Sequence, residues 1–357
     1  MSYKVKFLCL RFSLPSVLLL FCLFVVGQKK VGEIDSRFEP VEQLFKQNQK
    51  LLGNDYVALV WKDGKIIYQK QGSPDFTAKM QAPIAGAADW MTAALVMTFV
   101  DEGKITLDDK VTKYIPMFGK YMKGYITIRN CLTSTDGIKV DEGIKKALEK
   151  IKYETLEDEV NSYASKRDIG TNPGTEFFYS NLGPNIAARV LEVVAKKPFE
   201  RLMIDRIIRP LKMRGTNFAN QDGGATNPSG GAISTANDYI SFMAMLMNKG
   251  VTPDGKRVLS EKAVQELETA QFTNLPVKYI PKEFQGAQTG LGCFIIGAAS
   301  GTTSVLTCPN GLGTTPYIDK CRNYAAILLV AKPEEEKKAI WQSMMNLVNE
   351  ALGSGCN

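Results

Sequence analysis

The sequence predicts an α+β fold, a sheet domain with helices packed on it, and three observations carry that expectation. Two apolar strands joined by a tight turn stand near the start, an almost wholly apolar helix follows, and another apolar strand leads into an amphipathic helix near the end. No Pro/Gly/Ser-rich linker, repeat or low-complexity tract divides residues 28–357. They read as one globular unit with a helical sub-domain inserted in a sheet domain.

Residues 1–27 come first, with Lys4, Lys6 and Arg11, an apolar run from Pro15 to Val26, and Gly27. A basic start, a short apolar stretch and a small-residue end predict a secretory signal peptide cleaved near Gly27. The run is shorter than the roughly 20 apolar residues of a spanning helix, so secretion is expected, with no membrane attachment after cleavage. Val41 to Leu52 has the spacing of an amphipathic helix. Tyr56 to Trp61 and Lys65 to Tyr68, joined at Asp63-Gly64, predict a hairpin. From Met91 to Val100, Ala, Leu, Met and Thr recur three and four apart, predicting a buried helix with Gly103 as its left-handed cap. A helix is expected from Gly183 to Val194 with Asn181 as its cap, and another begins after Ser234-Thr235, either of which suits an N-cap. Tyr324 to Val330 reads as a buried strand, and Glu334 to Leu352 as a closing helix burying Ile340, Met344, Leu347, Val348 and Ala351.

Composition excludes several function classes. The formal charge of +7 falls to +4 without the leader, whose three cations have no acid beside them. Neither a basic stripe for nucleic acid nor an acidic mineral-binding run is present, and the lysines of 332–338 alternate with Glu334, Glu335 and Glu336 as on a solvated helix. There is no histidine, which removes Ser-His-Asp and Cys-His catalysis and the usual nitrogen ligand, so no metal and no cofactor is expected. Asp108-Asp109 and Glu334 to Glu336 read as exposed charge rather than as an acid/base pair. Beyond the leader lie Cys131, Cys293, Cys308, Cys321 and Cys356. Cys308 with Cys321 is the first disulfide expected, and the odd number leaves at least one thiol over. The sequon-like Asn227-Pro228-Ser229 is blocked by its proline.

A ladder of segments resembles the serine β-lactamase and penicillin-binding-protein family, the group of class C β-lactamases, D,D-peptidases and esterases. Leu107-Asp108-Asp109-Lys110-Val111-Thr112-Lys113-Tyr114-Ile115-Pro116 is similar to the family's Leu-Asp-Asp-x-Val-x-x-Tyr-Leu-Pro. Residues Ile126 to Gly137 resemble its Ile-Thr-Ile-Arg-x-Leu-Leu-Thr-His-Thr-Ser-Gly, with Ser134 for the histidine and Asp136 for the serine. Pro173-Gly174-Thr175-Glu176-Phe177-Phe178-Tyr179-Ser180-Asn181 matches the tyrosine motif. Pro210-Leu211-Lys212-Met213 and Gly230-Gly231-Ala232-Ile233-Ser234-Thr235 follow in order. The resemblance spans about residues 38–352 and implies a central antiparallel sheet flanked by helices, with a helical sub-domain.

The same resemblance implies a site whose chemistry is missing. In the family the buried helix opens with Ser-x-x-Lys, a nucleophile and its proton acceptor. Here the matching positions are Gly86 and Asp89, so no catalytic residue is expected. Asp89 is expected to put a negative charge where an amine belongs and to repel substrate carboxylates. Tyr179 and Asn181 are retained. The third motif, near Thr307 to Asp319, places Cys308 where the family carries a cation or hydroxyl. The expectation is a secreted, catalytically inactive protein that serves as a binding or structural component of an extracellular matrix, its partner a matrix component or a small ligand in the remnant groove. Members of this fold family occur in animal secretions, including calcified-shell organic matrix. The alternative is an active hydrolase or esterase using Ser134, Ser180 or Cys308.

Overall fold

The hairpin at Asp63-Gly64 starts the sheet. Strand β1 (Tyr56–Lys62) pairs antiparallel with β2 (Lys65–Gln71). Asp63 and Gly64 have φ of 49° and 82°, the doubly left-handed turn whose twist matches that of the strands it joins. The computed structural model describes residues 35–140, 152–219, 223–272, 274–297, 305–308, 314–332, 334 and 337–353. The expected leader lies outside them, and among them no helix is long and apolar enough to cross a membrane.

The other strands are β3 (Ala82–Pro83), β4 (Phe177–Phe178), β5 (Ile233–Ser234), β6 (Val277–Tyr279), β7 (Gln288–Thr289), β8 (Phe294–Ile296), β9 (Val305–Thr307), β10 (Thr315–Asp319) and β11 (Tyr324–Val330). Seven of them form one antiparallel sheet in the order β2-β1-β11-β10-β9-β8-β7. The last strand therefore pairs with the first, Tyr56 opposite Val330 and Lys62 opposite Tyr324. Every residue of β11 is buried, as expected of a strand covered on both faces.

Alternation sorts the side chains between two cores. Val57, Leu59, Ala325, Ile327 and Leu329 face the large core that contains the apolar helix Ala87–Asp101. Tyr56, Ala58, Val60, Ala326, Leu328 and Val330 face a second core, closed by the helices Glu39–Gln47 and Lys338–Leu352. Trp341 anchors that second core, its ring 5.7 Å from Phe284 and 6.3 Å from Tyr317. This is the expected α+β architecture, with the helical elements, among them Leu156–Lys166 and Leu182–Ala195, beside the sheet.

Several local expectations are refined. The helix predicted over 41–52 divides at Asn48, whose amide donates to Leu44 O at 2.9 Å, leaving Glu39–Gln47 and Gln49–Leu52. The apolar helix starts at Ala87, four residues before the periodic stretch, and Ala87 to Phe99 are all buried. Gly103, at φ 66°, closes it as expected, and Lys104 N donates to Phe99 O. Thr235 rather than Ser234 caps the helix Ala236–Met247, accepting from Asp238 N at 3.1 Å. The expected cap from Asn181 is absent: it occupies the N-cap position of Leu182–Ala195 with no capping bond from its side chain, at φ −85° and ψ 4° rather than in the extended conformation such caps adopt. Lys212 lies in the left-handed region, at φ 58°. Asp109 is a structural acceptor, not open charge, taking bonds from Thr106 N and from Tyr114 OH at 2.6 Å.

The cysteine pairing is corrected. Cys321 is disulfide-bonded, whereas Cys131, Cys293 and Cys308 are buried thiols. Thr307 lies opposite Tyr317 in the β9–β10 pair, which puts Cys308 and Cys321 near opposite ends of β10. At about 3.3 Å per residue the two are on the order of 15 Å apart, beyond the roughly 7 Å that a disulfide spans between Cα atoms.

Candidate functional site

The helix Ala87–Asp101 opens at Gly86, which has φ −61° and ψ −7° and contributes no capping bond. The residue before it, Ala85, is held at φ 45°, so the chain enters the helix through a tight, left-handed step. Its entry is fixed from the large core: Tyr239 OH donates to Ala87 O at 2.8 Å, and Ile84 N to Ala232 O at 3.0 Å. These contacts fix the position of residue 86, which is buried. Glycine supplies no side chain there.

One turn into the helix, Asp89 is 1 % exposed and bonded on both oxygens. Ser229 Oγ donates to Oδ1 at 2.6 Å, and Tyr179 OH donates to Oδ2 at 3.2 Å. Burial pushes this carboxyl up from 3.8 to about 8, against the two hydrogen bonds, which act to lower it. The charge expected at Asp89 is therefore largely absent at neutral pH, and so is the expected repulsion of carboxylates: the side chain is a neutral acid because two hydroxyls do not replace the water it has lost. The Tyr179 phenol is pushed well above its ordinary value by burial and by the neighbouring Asp89 and Cys308. The Tyr179 phenol is therefore not poised to give up its proton near neutrality, and both oxygens of Asp89 are already engaged by Ser229 and Tyr179.

The structure thus brings together four of the positions singled out in the sequence. Gly86 and Asp89 lie on one helix turn, Tyr179 reaches Asp89, and Cys308 is close enough to Tyr179 to help raise its phenol pKa. Cys308 is fully buried, its Sγ 3.9 Å from Thr314 O; residues 309–313 of the third motif lie outside the described residues. Asn181 sits apart, exposed at the rim of a cavity it shares with Ser180, Asn185 and Asn227. Ser134 lines a separate cavity with Asp136 and Lys139.

Sequence reasoning missed Ser229. It stood in Asn227-Pro228-Ser229, where the only visible signal was a blocked glycosylation site. In the fold Thr92 Oγ1 donates to Pro228 O at 2.9 Å, and Ser229 N donates to Asn185 Oδ1 at 3.0 Å. These bonds hold the hydroxyl against Asp89. Among the described residues no group of three or more His, Cys, Asp or Glu side chains could hold a metal ion.

A seven-stranded antiparallel sheet, an apolar helix opening beside a Tyr-x-Asn turn, and a tyrosine hydroxyl meeting that helix's first turn define the serine β-lactamase and transpeptidase class of fold. The β-lactamase family model matches residues 41–346. The chain belongs to that family. It is 25% identical to the structure of a β-lactamase candidate from Bacteroides dorei DSM 17855, with a TM-score of 0.76 over 90% of this chain and 99% of that one. EstCE1, a hydrolase with promiscuous acyltransferase activity, is 18% identical with a TM-score of 0.73, covering 89% of this chain and 98% of its own. Among curated relatives, protein flp of Staphylococcus aureus (strain MW2) is 28% identical over 170 residues, 45% of this chain. The chain spans about a third, 34%, of flp's length.

Proposed function

We propose that this chain is a secreted, non-catalytic member of the β-lactamase family that acts outside the cell by binding, as a component of an extracellular matrix or as the holder of a small ligand in its remnant groove. The observation that carries the reading is the opening of the apolar helix. Gly86 gives the reaction no attacking atom, and the residue in the lysine's place is a buried carboxyl locked between Ser229 and Tyr179. In hydrolases whose catalytic residues act as a unit, loss of the nucleophile alone costs on the order of a millionfold in rate. The basic, apolar start of the chain supports export. The retained Tyr179, whose hydroxyl meets the first turn of the apolar helix, supports a groove that still receives a ligand.

The test is acylation of the protein lacking residues 1–27 by a fluorophosphonate and by a reactive β-lactam, read as intact mass, beside a Gly86→Ser/Asp89→Lys double variant. The expected result is no adduct on the unmodified chain and an adduct on the double variant, whose Ser-x-x-Lys is restored opposite Tyr179. An adduct on the unmodified chain would overturn the reading, and peptide mapping would show whether Ser134, Ser180 or Cys308 carries it. A thermal-shift panel of peptidoglycan peptides, esters and extracellular polysaccharides separates the two binding roles. A shift names a ligand for the groove, and its absence throughout favours the matrix role.

A further inference from the structure

A second polar site lies behind the Tyr-x-Asn turn. A cavity of about 220 Å³ is lined by Ser180, Asn181, Asn185, Asn227, Tyr153 and Arg167. Arg167 is only 7 % exposed, and among the described residues its Nε and Nη1 have no hydrogen-bond partner; the Tyr153 hydroxyl is likewise buried and unpartnered there. The guanidinium lies over the Tyr163 ring, 5.5 Å from its centre, and forms no ion pair among the described residues. Leaving a buried cation's donors unmade is costly, because water is lost and nothing replaces it.

Two carboxyls face this guanidinium electrostatically, and neither binds it. Glu159 is engaged by Tyr163 OH at 2.5 Å, and Asp136 Oδ1 accepts from Ile138 N at 2.9 Å. Burial raises the pKa of both, Asp136 to about 6, with Arg167 acting the other way. The amides of Asn185 and Asn227 in the cavity wall are turned inward on Ser229 N, at 3.0 Å and 3.2 Å. That ties the cavity to the Ser229–Asp89–Tyr179 contacts. The Glu159 carboxyl also lines the cavity, tied to Tyr163; a cation with spare donors beside amides and hydroxyls in so small a space is a receptor for an anion.

We propose that this cavity binds a small carboxylate, or the carboxylate end of a larger ligand, with Arg167 as the charged anchor and Ser180, Asn181 and Tyr153 as neutral hydrogen-bonding partners. The size of the cavity suits a short acid or a terminal group, and the planar guanidinium matches a carboxylate's paired oxygens. The site deepens the binding-protein reading by giving the ligand a chemistry. It stands independently of whether residue 86 reacts, because covalent labelling reports on the helix and anion binding reports on Arg167.

The experiment titrates the ¹⁵N-labelled protein with propionate, with propionamide as the uncharged match, and with inorganic phosphate, following the Arg167 Nε–H resonance. Propionate is expected to bind saturably and shift that resonance, while propionamide does not. Arg167→Met should abolish saturable binding, and Arg167→Lys should weaken it about tenfold. If Arg167→Met fails to fold, the lysine variant and the acid-to-amide comparison still decide. Equal binding of acid and amide, unchanged binding of propionate to Arg167→Met, or binding of phosphate alone would each overturn the proposal.

Discussion

Asp89→Asn should make this protein more stable, and only above mildly acidic pH. The folded chain holds the Asp89 carboxyl at about 8 against an ordinary 3.8. Between those values the folded state keeps a proton that the unfolded state releases, so stability falls as pH rises. The contribution is fully present below about pH 4 and exhausted above about pH 8. Its size is on the order of 5 kcal/mol, at roughly 1.4 kcal/mol per pH unit between the two values. Asparagine cannot lose the proton, and its shape fits the same partners: the amide oxygen accepts from Ser229 Oγ while the NH₂ donates to the Tyr179 oxygen. Urea unfolding of both proteins at about pH 4.5, 6, 7 and 8.5 measures the difference. The two curves should nearly coincide at the acidic end and diverge by several kcal/mol at the alkaline end. Asp136, raised to about 6, tilts both curves alike and drops out of the difference. A gap that does not change with pH would refute a neutral, buried Asp89.

The remaining predictions concern its neighbours and the core. Ser229→Ala removes the 2.6 Å bond to Asp89 and should cost about 1–3 kcal/mol in urea unfolding, with the carboxyl pushed higher still. Gly183→Ala would set a Cβ 1.9 Å from the Cys131 carbonyl oxygen; it should destabilise by about 3 kcal/mol or more, seen as a lowered Tm. Trp341→Ala empties the centre of the second core and should cost about 3–5 kcal/mol. Thiol alkylation under native conditions should leave Cys131, Cys293 and Cys308 unmodified, since all are buried. Denaturant should expose these three, while Cys321 is labelled only after reduction, as read by peptide mass.

What the sequence determined by itself was whatever depends on neighbours in the chain. The Asp63-Gly64 turn, the Thr235 cap and the Gly103 terminus are local chemistry, and each stands where its residue type requires. The apolar run of β11 announced a strand buried on both faces, and the ordered motifs announced the family. The expectation of Gly86 and Asp89 at the family's Ser-x-x-Lys positions was equally plain, because whether a position carries a hydroxyl or an amine is read directly from residue identity.

What only the tertiary structure decided was the state of those residues. Asp89 reads as a charge in any list of side chains, yet its enclosure beside Ser229, 140 positions along the chain, makes it a neutral acid. No local signal pointed to Ser229 or to Arg167, since neither motif nor spacing marks a hydroxyl held by a distant asparagine or a guanidinium left without an anion. The Cys308–Cys321 expectation failed for the same reason. Nearness in sequence suggested a bridge, and the extended strand between the two cysteines carried them apart. Charge state, pairing and cavity lining depend on how water is excluded and on which distant segments meet, and the folded chain alone sets both.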